Sequence, residues 1–311
     1  MSPSSSLSTL PSERSWKDTP PAPVPPARRV DASDVSRSIY GSRKASLILD
    51  IIVVGCGLGG LGAAFCLMQA GHRVTIIESS PVIGEVGAGI QVSPNSSRLL
   101  WRWGLGAHLD EIAVKPEAIA FRRYDTGERV GFTKWGEVTE KDYGAPYYHI
   151  HRADFHKLLY DLVASHVTIL LGSPVIGCDP GPVSPSVTLK SGKVMSADLI
   201  LGADGIKGVI QQVVSGKPNP AEPTGDAAYR AIIPASLMIQ DPDLREFIEH
   251  PQMVGWMAPG RHLMAYPIVC RFPFSPSYWS TLTTWGLSPP FFFRGGRRSI
   301  ISFYCTQMMD R

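Results

Sequence analysis

Residues 50–78 read DIIVVGCGLGGLGAAFCLMQAGHRVTIIE, and this stretch decides the fold. Ile51-Ile52-Val53-Val54 is an apolar, mostly β-branched run, suited to a strand buried on both faces of a parallel sheet. Gly55, Gly57 and Gly60 follow at the spacing G-x-G-x-x-G. Gly55 permits a tight turn out of the strand, Gly57 lets backbone approach a pyrophosphate, and Gly60 lets the next helix pack close to the sheet. That helix is predicted from Leu61 to Ala70, with Gly71 as its C′ residue. A second strand, Arg73 to Ile77, delivers Glu78 about 20 residues beyond the glycines, where a carboxylate accepts hydrogen bonds from a ribose. The free N–H groups of the helix N-terminus favour a phosphate. Strand, glycine turn, helix and acid in this order form a dinucleotide fingerprint, which a bare G-x-G-x-x-G does not. The competing reading of residues 47–71 is a glycine-rich membrane helix, and Asp50 and the glycine cluster oppose it.

The chain has 311 residues, enough for about two domains with substantial cores. A hydrophobic content of 44% is ordinary for a globular protein. A net charge of +3 without a dense Lys/Arg block gives no reason to expect nucleic acid as a partner. The five cysteines (Cys56, Cys66, Cys178, Cys270, Cys305) are scattered and include no C-x-x-C pair. This fits a reduced compartment, with neither a disulfide framework nor a zinc site. Cys56 reads as a small loop residue rather than a redox centre.

Residues 1–46 are Ser- and Pro-rich, with seven prolines, and cannot bury a core. They lack the apolar core of a secretory signal. A cytoplasmic protein is expected, with a mitochondrial presequence as the alternative: five arginines favour it, while Glu13, Asp18, Asp31 and Asp34 oppose it. After Glu78, the run Gly84-Glu85-Val86-Gly87-Ala88-Gly89-Ile90 reads as backbone passing close to a flat ligand, or as a flexible loop. Pro94-Asn95 opens an amphipathic helix with Leu99, Leu100 and Trp103 on its apolar face. Strands are expected from Ala118 to Phe132, turning at Asp125-Thr126-Gly127. A helix from Ala153 to Ala164, a strand from Val167 to Leu171, a hairpin at Ser191-Gly192 and a buried strand from Leu199 to Leu201 follow. The last ends in Gly202-Ala203-Asp204-Gly205, and an acid at the end of a parallel strand is a ligand position or a helix cap. From Tyr229 to Ile268, strands alternate with a short helix.

Taken together, Gly55 to Gly60, Glu78, Glu85 to Ile90, His151-Arg152-Ala153-Asp154, Gly202 to Lys207, Ala228-Tyr229-Arg230 and His262 to Pro267 resemble the single-component FAD-dependent aromatic hydroxylases. The salicylate hydroxylase-like branch, common in fungi, is the most similar. The pieces fall in family order over roughly residues 48–268. The resemblance implies an α/β fold: a Rossmann-like FAD-binding domain with a parallel sheet, interleaved with a smaller, mainly β substrate domain. It divides the chain into a 1–46 Ser/Pro-rich segment, FAD-domain parts at 47–115 and 148–215, substrate-domain parts at 116–147 and 216–269, and an off-family tail at 270–311.

The same resemblance implies that Gly55, Gly57 and Gly60 hold the FAD pyrophosphate and Glu78 the adenosine ribose. Gly89 passes beside the flavin, Arg152 contacts FAD, and Asp204 supports the pyrophosphate and the docking of NADH or NADPH. In that family reduced flavin and oxygen give a C4a-hydroperoxide whose distal oxygen is electrophilic, and a phenolate ring is a far better nucleophile toward it than a phenol. The site must therefore favour the deprotonated ring and stay dry. Candidates are Arg230, to hold a carboxylate or phenolate, and His262 with Tyr266, which share a strand face at spacing four. Against these stand ordinary roles: an ion pair for Arg230, an edge-strand position for His262 and a core position for Tyr266. The implied partners are a small phenolic or salicylate-like ring and molecular oxygen, with no nucleic acid and no membrane; oligomeric state stays open.

The family carries a second flavin motif, Gly-Asp-Ala-Ala-His, beyond the matched region. Gly225-Asp226-Ala227-Ala228 looks like it, but Tyr229-Arg230 follows and the position is too early, so it reads as the approach to Arg230. After Val269 no clear helix or strand period is visible, and Pro290-Phe291-Phe292-Phe293 reads as an aggregation liability. The expectation is that residues from about 270 arise from a read-through intron or a frameshift. Two functions thus stand: an FAD- and NAD(P)H-dependent monooxygenase, or a non-catalytic dinucleotide-binding fragment of one. An NAD-dependent dehydrogenase explains the glycines and Glu78, but not the Arg152 and Arg230 motifs.

Overall fold

The computed structural model describes residues 44–84, 89–218 and 226–268, and the strands at 278–286, 293–295 and 299–301. Most of the Ser/Pro-rich start, residues 85–88 of the glycine-rich run, Cys270, Cys305 and Pro290-Phe291-Phe292 lie outside the described residues.

The opening unit is β1 (Asp50–Val54), α1 (Leu58–Ala70) and β2 (Arg73–Ile77). α1 starts three residues earlier than expected, directly after Gly57. Gly71 ends it in the left-handed region at φ +98°, its N–H bonded to the Leu67 and Met68 carbonyls. The membrane-helix reading of residues 47–71 therefore fails: this span is a strand, a turn and a 13-residue helix. Among the described residues, no helix is long and apolar enough to cross a membrane.

Next come β3 (Gly89–Val92), α2 (Pro94–Arg102) and α3 (Gly106–Ile112). Leu100 and Trp103 are buried as the periodicity predicts, whereas Leu99 is 40% exposed, one position off the apolar stripe. The hairpin of β4 (Ala118–Arg123) and β5 (Arg129–Lys134) turns as expected, with Gly127 at φ +71°. It leads through α4 (Glu137–Tyr143) to β6 (Tyr148–His151) and α5 (Arg152–Val163). β7 (Thr168–Leu170), β8 (Val175–Asp179), β9 (Ser186–Leu189), β10 (Val194–Ser196), β11 (Leu199–Gly202) and α6 (Val209–Ser215) follow. The remainder is β12 (Asp226–Pro234), α7 (Ala235–Met238), α8 (Pro242–Glu249), β13 (Gln252–Ala258), β14 (Arg261–Pro267), β15 (Tyr278–Gly286), β16 (Phe293–Gly295) and β17 (Ser299–Ile301).

Two sheets organise these elements. The first is parallel, in the order β11-β1-β2-β7. β1 is its central apolar strand, and its residues divide by parity as a period of two requires. Ile51 and Val53 enter a core with Leu61, Ala64 and Phe65 of α1 and Leu159 of α5, while Ile52 and Val54 enter another with Val187, Leu189 and Ile210. All four are at most 4% exposed, so β1 is buried on both faces. β11 departs from expectation: Leu199 is 43% exposed, because the strand lies at the sheet edge among the described residues.

The second sheet runs β12-β15-β14-β13-β4-β5, antiparallel except for β13 beside β4. Its strands come from residues 118–134 and from 226 onward, on either side of the segment that returns to the parallel sheet. The fold is thus α/β with an interleaved second sheet. β15 corrects the reading of the region after Val269. The stretch YWSTLTTWG pairs along its whole length with β12 and lies between β12 and β14. Its Ser and Thr residues are interspersed among Tyr278, Trp279, Leu282 and Trp285 without a period of two, so hydropathy alone does not distinguish it from loop.

Candidate functional site

The register of the parallel sheet aligns three strand ends. Val54 lies opposite Ile77 on β2 and opposite Gly202 on β11. The next residues are Gly55, Glu78 and Ala203-Asp204, so the glycine turn and both acids emerge together at the carboxyl edge, where open α/β sheets bind ligands. Gly55 has φ +104°, and a Cβ there would strike the Ala203 carbonyl and come within 3.1 Å of the Asp204 Cα. A Cβ on Gly60 would strike the Gly55 carbonyl oxygen. Gly57 and Gly59 are different: nothing lies within 4 Å of a Cβ at either. α1 carries no acid in its first turn and no side-chain cap, so nothing competes with an anion for its N-terminal N–H groups. These features fit a dinucleotide pyrophosphate.

Glu78 does more than expected. Its carboxylate accepts the Cys56 N–H at 2.7 Å, the Ser80 N–H at 2.8 Å and the Ser79 hydroxyl at 3.0 Å. Burial alone would raise its pKa, but the hydrogen bonds led by Ser80 and Cys56 outweigh this and lower it, so the group is ionised near neutrality. A carboxylate offers about four acceptor positions, which leaves room for a ribose hydroxyl. Burial, helped by the Glu78 charge, pushes the Cys56 thiol up to about 11, in keeping with a structural rather than a redox cysteine. Asp204 is not the N-cap residue of α6, which is Gly208, but its carboxylate still reaches the start of that helix. It accepts the Ile210 N–H at 3.0 Å in the first turn of α6 while its backbone borders the Gly55 turn.

The remaining expected cofactor residues meet at the antiparallel β3–β6 strand pair. Gly89 pairs with His151, the residue before Arg152. Arg152 is the first residue of α5, which packs on α1. One turn further along α5, the buried His156 places Nε2 2.7 Å from the Cys56 carbonyl. His156 escaped the sequence reading, although its spacing of four from Arg152 puts both on one helical face.

The other expected residues share one face of the second sheet. Arg230 and Met264 both pair with Leu282 on β15, so they point to the same side about 10 Å apart, two strand spacings. His262 and Tyr266 flank Met264 at intervals of two and take that side as well. Arg230 is exposed and His262 half-buried. Tyr266 is 5% exposed and sits in a small core with Met253 and Ile268, the ordinary position weighed for it.

That face is turned toward the β3–β6 strand pair. The Tyr266 ring lies 4.7 Å from His149, His149 lies 5.7 Å from Tyr147, and Tyr147 stacks on Trp135 at 4.5 Å. The Tyr147 hydroxyl donates to Gln91 Oε1 at 2.6 Å, and burial followed by the proximity of Tyr266 pushes its phenol up to about 12. His149 is fully buried, and desolvation drops its pKa to about 3. The Pro267 backbone offsets part of this, but neither ring nitrogen makes a hydrogen bond of good geometry to a described residue. None of Tyr147, His149, Gln91 and Trp135 was singled out from sequence, because their contact joins two sheets remote in the chain. Arg230, His262 and Tyr266 thus share the sheet face on which Tyr266 meets His149 of β6, and the strand-end cluster is joined to α5 through His156.

Comparison with known proteins bears on the family and the fold. A 3-amino-4-hydroxybenzoate 2-monooxygenase from Streptomyces cremeus is 36% identical over 219 residues, 70% of this chain and 53% of its own length. A 3-hydroxybenzoate 6-hydroxylase from Aquipseudomonas alcaligenes is 30% identical over 223 residues, 70% of this chain and 54% of its own. The chain therefore spans about half the length of these curated relatives. Among solved structures, HpxO of Klebsiella pneumoniae complexed with FAD and uric acid superposes with a TM-score of 0.65 at 20% identity, covering 78% of this chain and 58% of that one. The 2,6-dihydroxypyridine-3-hydroxylase of Arthrobacter nicotinovorans gives 0.62 at 23%, covering 79% and 58%. These two likenesses concern the fold. Residues 49–286 match the family described as FAD binding domain, and this match carries the boundary expected at 269 through β15. From the residue before β1 to the end of β15, the chain belongs to the FAD binding domain family.

Proposed function

We propose that this chain binds FAD and, with NADH or NADPH and oxygen, serves the hydroxylation of a phenolic or aromatic acid, a ring of the hydroxybenzoate type named for its relatives. The observation that carries the reading is the gathering of the expected residues into two groups. One is the strand-end cluster of Gly55, Gly57, Gly60, Glu78 and Asp204; the other is the sheet face bearing Arg230, His262 and Tyr266. When bound, FAD supplies electron transfer and oxygen activation. In this reading Gly57 and the first turn of α1 hold the pyrophosphate, Glu78 accepts from the ribose, and Gly89 and Arg152 flank the ring system. Arg230 holds the substrate carboxylate or phenolate, and its fixed charge favours the deprotonated ring. His262 takes the phenol proton at a ring nitrogen. Tyr266, backed by His149, forms a wall that excludes water. The domain division follows the two sheets, with residues 47–115 and 148–215 on the cofactor side and 116–147 and 216–286 on the substrate side. The protein acts in the cytoplasm.

A second reading rests on the coverage of about half of each relative: the chain holds the dinucleotide without hydroxylating. Purified protein separates the two. The monooxygenase reading expects yellow protein with stoichiometric FAD, NAD(P)H oxidation stimulated by hydroxybenzoates, and a product heavier by one oxygen. Yellow protein without product leaves the binding reading alone, and protein that takes up no FAD overturns both.

A further inference from the structure

We infer that His156 is a positioning residue for the cofactor phosphates, acting through the Cys56–Gly57 peptide; the inference rests on the dinucleotide reading above. Cys56 is gripped at both backbone groups. Its N–H donates to Glu78 at 2.7 Å, and its carbonyl lies 2.7 Å from His156 Nε2, which donates to it as the Nε2–H tautomer. In a trans peptide the carbonyl and the following N–H point in opposite directions. Fixing the Cys56 carbonyl on α5 therefore aims the Gly57 N–H away from α5. That N–H bonds to no described residue, and the space beside the Gly57 Cα is open. The His156 ring is 5% exposed and packed within α5, so it holds the peptide from a rigid base. A carbonyl without this donor would lose a hydrogen bond in a buried place, and the peptide could rotate. The ring does not touch the ligand in this arrangement; it sets the direction of a donor that does.

The arrangement ties His156 to phosphate rather than to adenine or ribose, and truncated ligands test this. Binding of FAD, ADP and adenosine is measured by titration calorimetry on the whole chain and on His156→Leu and His156→Gln. The glutamine amide N–H falls near the place of Nε2–H and should restore the bond. Expected is a loss of about tenfold in FAD and ADP affinity for the Leu variant, the worth of one neutral hydrogen bond. Adenosine should change less than about twofold, and the Gln variant should recover most of the loss. Should the Leu variant fail to fold, His156→Phe keeps the ring packing and carries the same comparison. Equal losses for adenosine and ADP, no loss at all, or a Gln variant as weak as Leu would overturn the inference. Wild-type protein that binds ADP but shows any of these patterns leaves the dinucleotide reading standing and removes only His156. Wild-type protein that binds neither FAD nor ADP removes both.

Discussion

Lowering the pH from about 7.5 to about 5 should destabilise this protein through His149, and by a calculable amount. The imidazole is fully buried between Tyr266 at 4.7 Å and Tyr147 at 5.7 Å, and its pKa falls from 6.5 to about 3 because burial penalises the cation. The folded pKa lies below the unfolded one, so between the two values the unfolded chain carries the additional proton. Stability then falls as pH drops through that window, at roughly 1.4 kcal/mol per unit. At pH 5 about 1.5 units have been crossed, or roughly 2 kcal/mol, against a total that in most domains is about 5–15 kcal/mol. His149→Phe keeps an aromatic ring between the two tyrosines and removes the titration. Urea unfolding followed by tryptophan fluorescence, at both pH values and on both proteins, isolates the effect, since every other titrating group is common to them. The wild type should lose about 2 kcal/mol more than the variant. Equal losses would show that His149 is protonated, or solvated, in the folded state, and the packing of the β3–β6 pair on the second sheet would need to be redrawn.

Glu78→Ala should weaken FAD binding by roughly ten- to a hundredfold, since hydrogen bonds to a charged group are worth about 1.5–3 kcal/mol; wild-type affinity in a flavin titration would remove Glu78 from the site. Because its folded pKa is lowered, its contribution is present at neutral pH and lost as pH falls through that lowered value, and Glu78→Gln should abolish this acid step in flavin release. Gly60→Ala and Gly57→Ala should part company. A Cβ at Gly60 meets the Gly55 carbonyl and should cost about 1–3 kcal/mol in thermal stability, while Gly57 is open, so its substitution should spare stability and reduce flavin affinity. Iodoacetamide at pH 8 should leave Cys56 unmodified in folded protein, as its buried thiol is pushed up to about 11; rapid labelling seen by peptide mass mapping would contradict that. Under the monooxygenase reading, His262→Ala should raise the hydrogen peroxide formed per NAD(P)H while FAD stays bound, and an unchanged ratio of peroxide to product would take His262 out of the chemistry.

What the sequence reveals and what it hides follow one physical division. The β1–α1–β2 unit is legible because its constraints are local. A β-branched run buried on both faces, a glycine at positive φ and an acid at the next strand tip all lie within 29 residues. Even there α1 begins three residues before the expected Leu61. Gly59 and Gly60 each cost roughly 1 kcal/mol in a helix, so propensity favours a loop, and the need for Gly60 shows only in the close approach of the Gly55 carbonyl, which leaves no space for a Cβ. Residues whose role lies in a partner far along the chain are harder to read. His156 acts on Cys56 across 100 positions, and His149 meets Tyr266 between two sheets whose register no local period encodes. β15 shows the same limit, since its aperiodic mix of polar and large residues becomes a strand only between β12 and β14. The common face of Arg230, His262 and Tyr266 is intermediate. The spacing of four fixes His262 and Tyr266 relative to each other, but only the shared pairing with Leu282 brings Arg230 to their side. A one-residue slip of β12 against β15 would send Arg230 to the opposite surface. The substrate side of the proposed site therefore depends on a strand register, and the cofactor side on a turn.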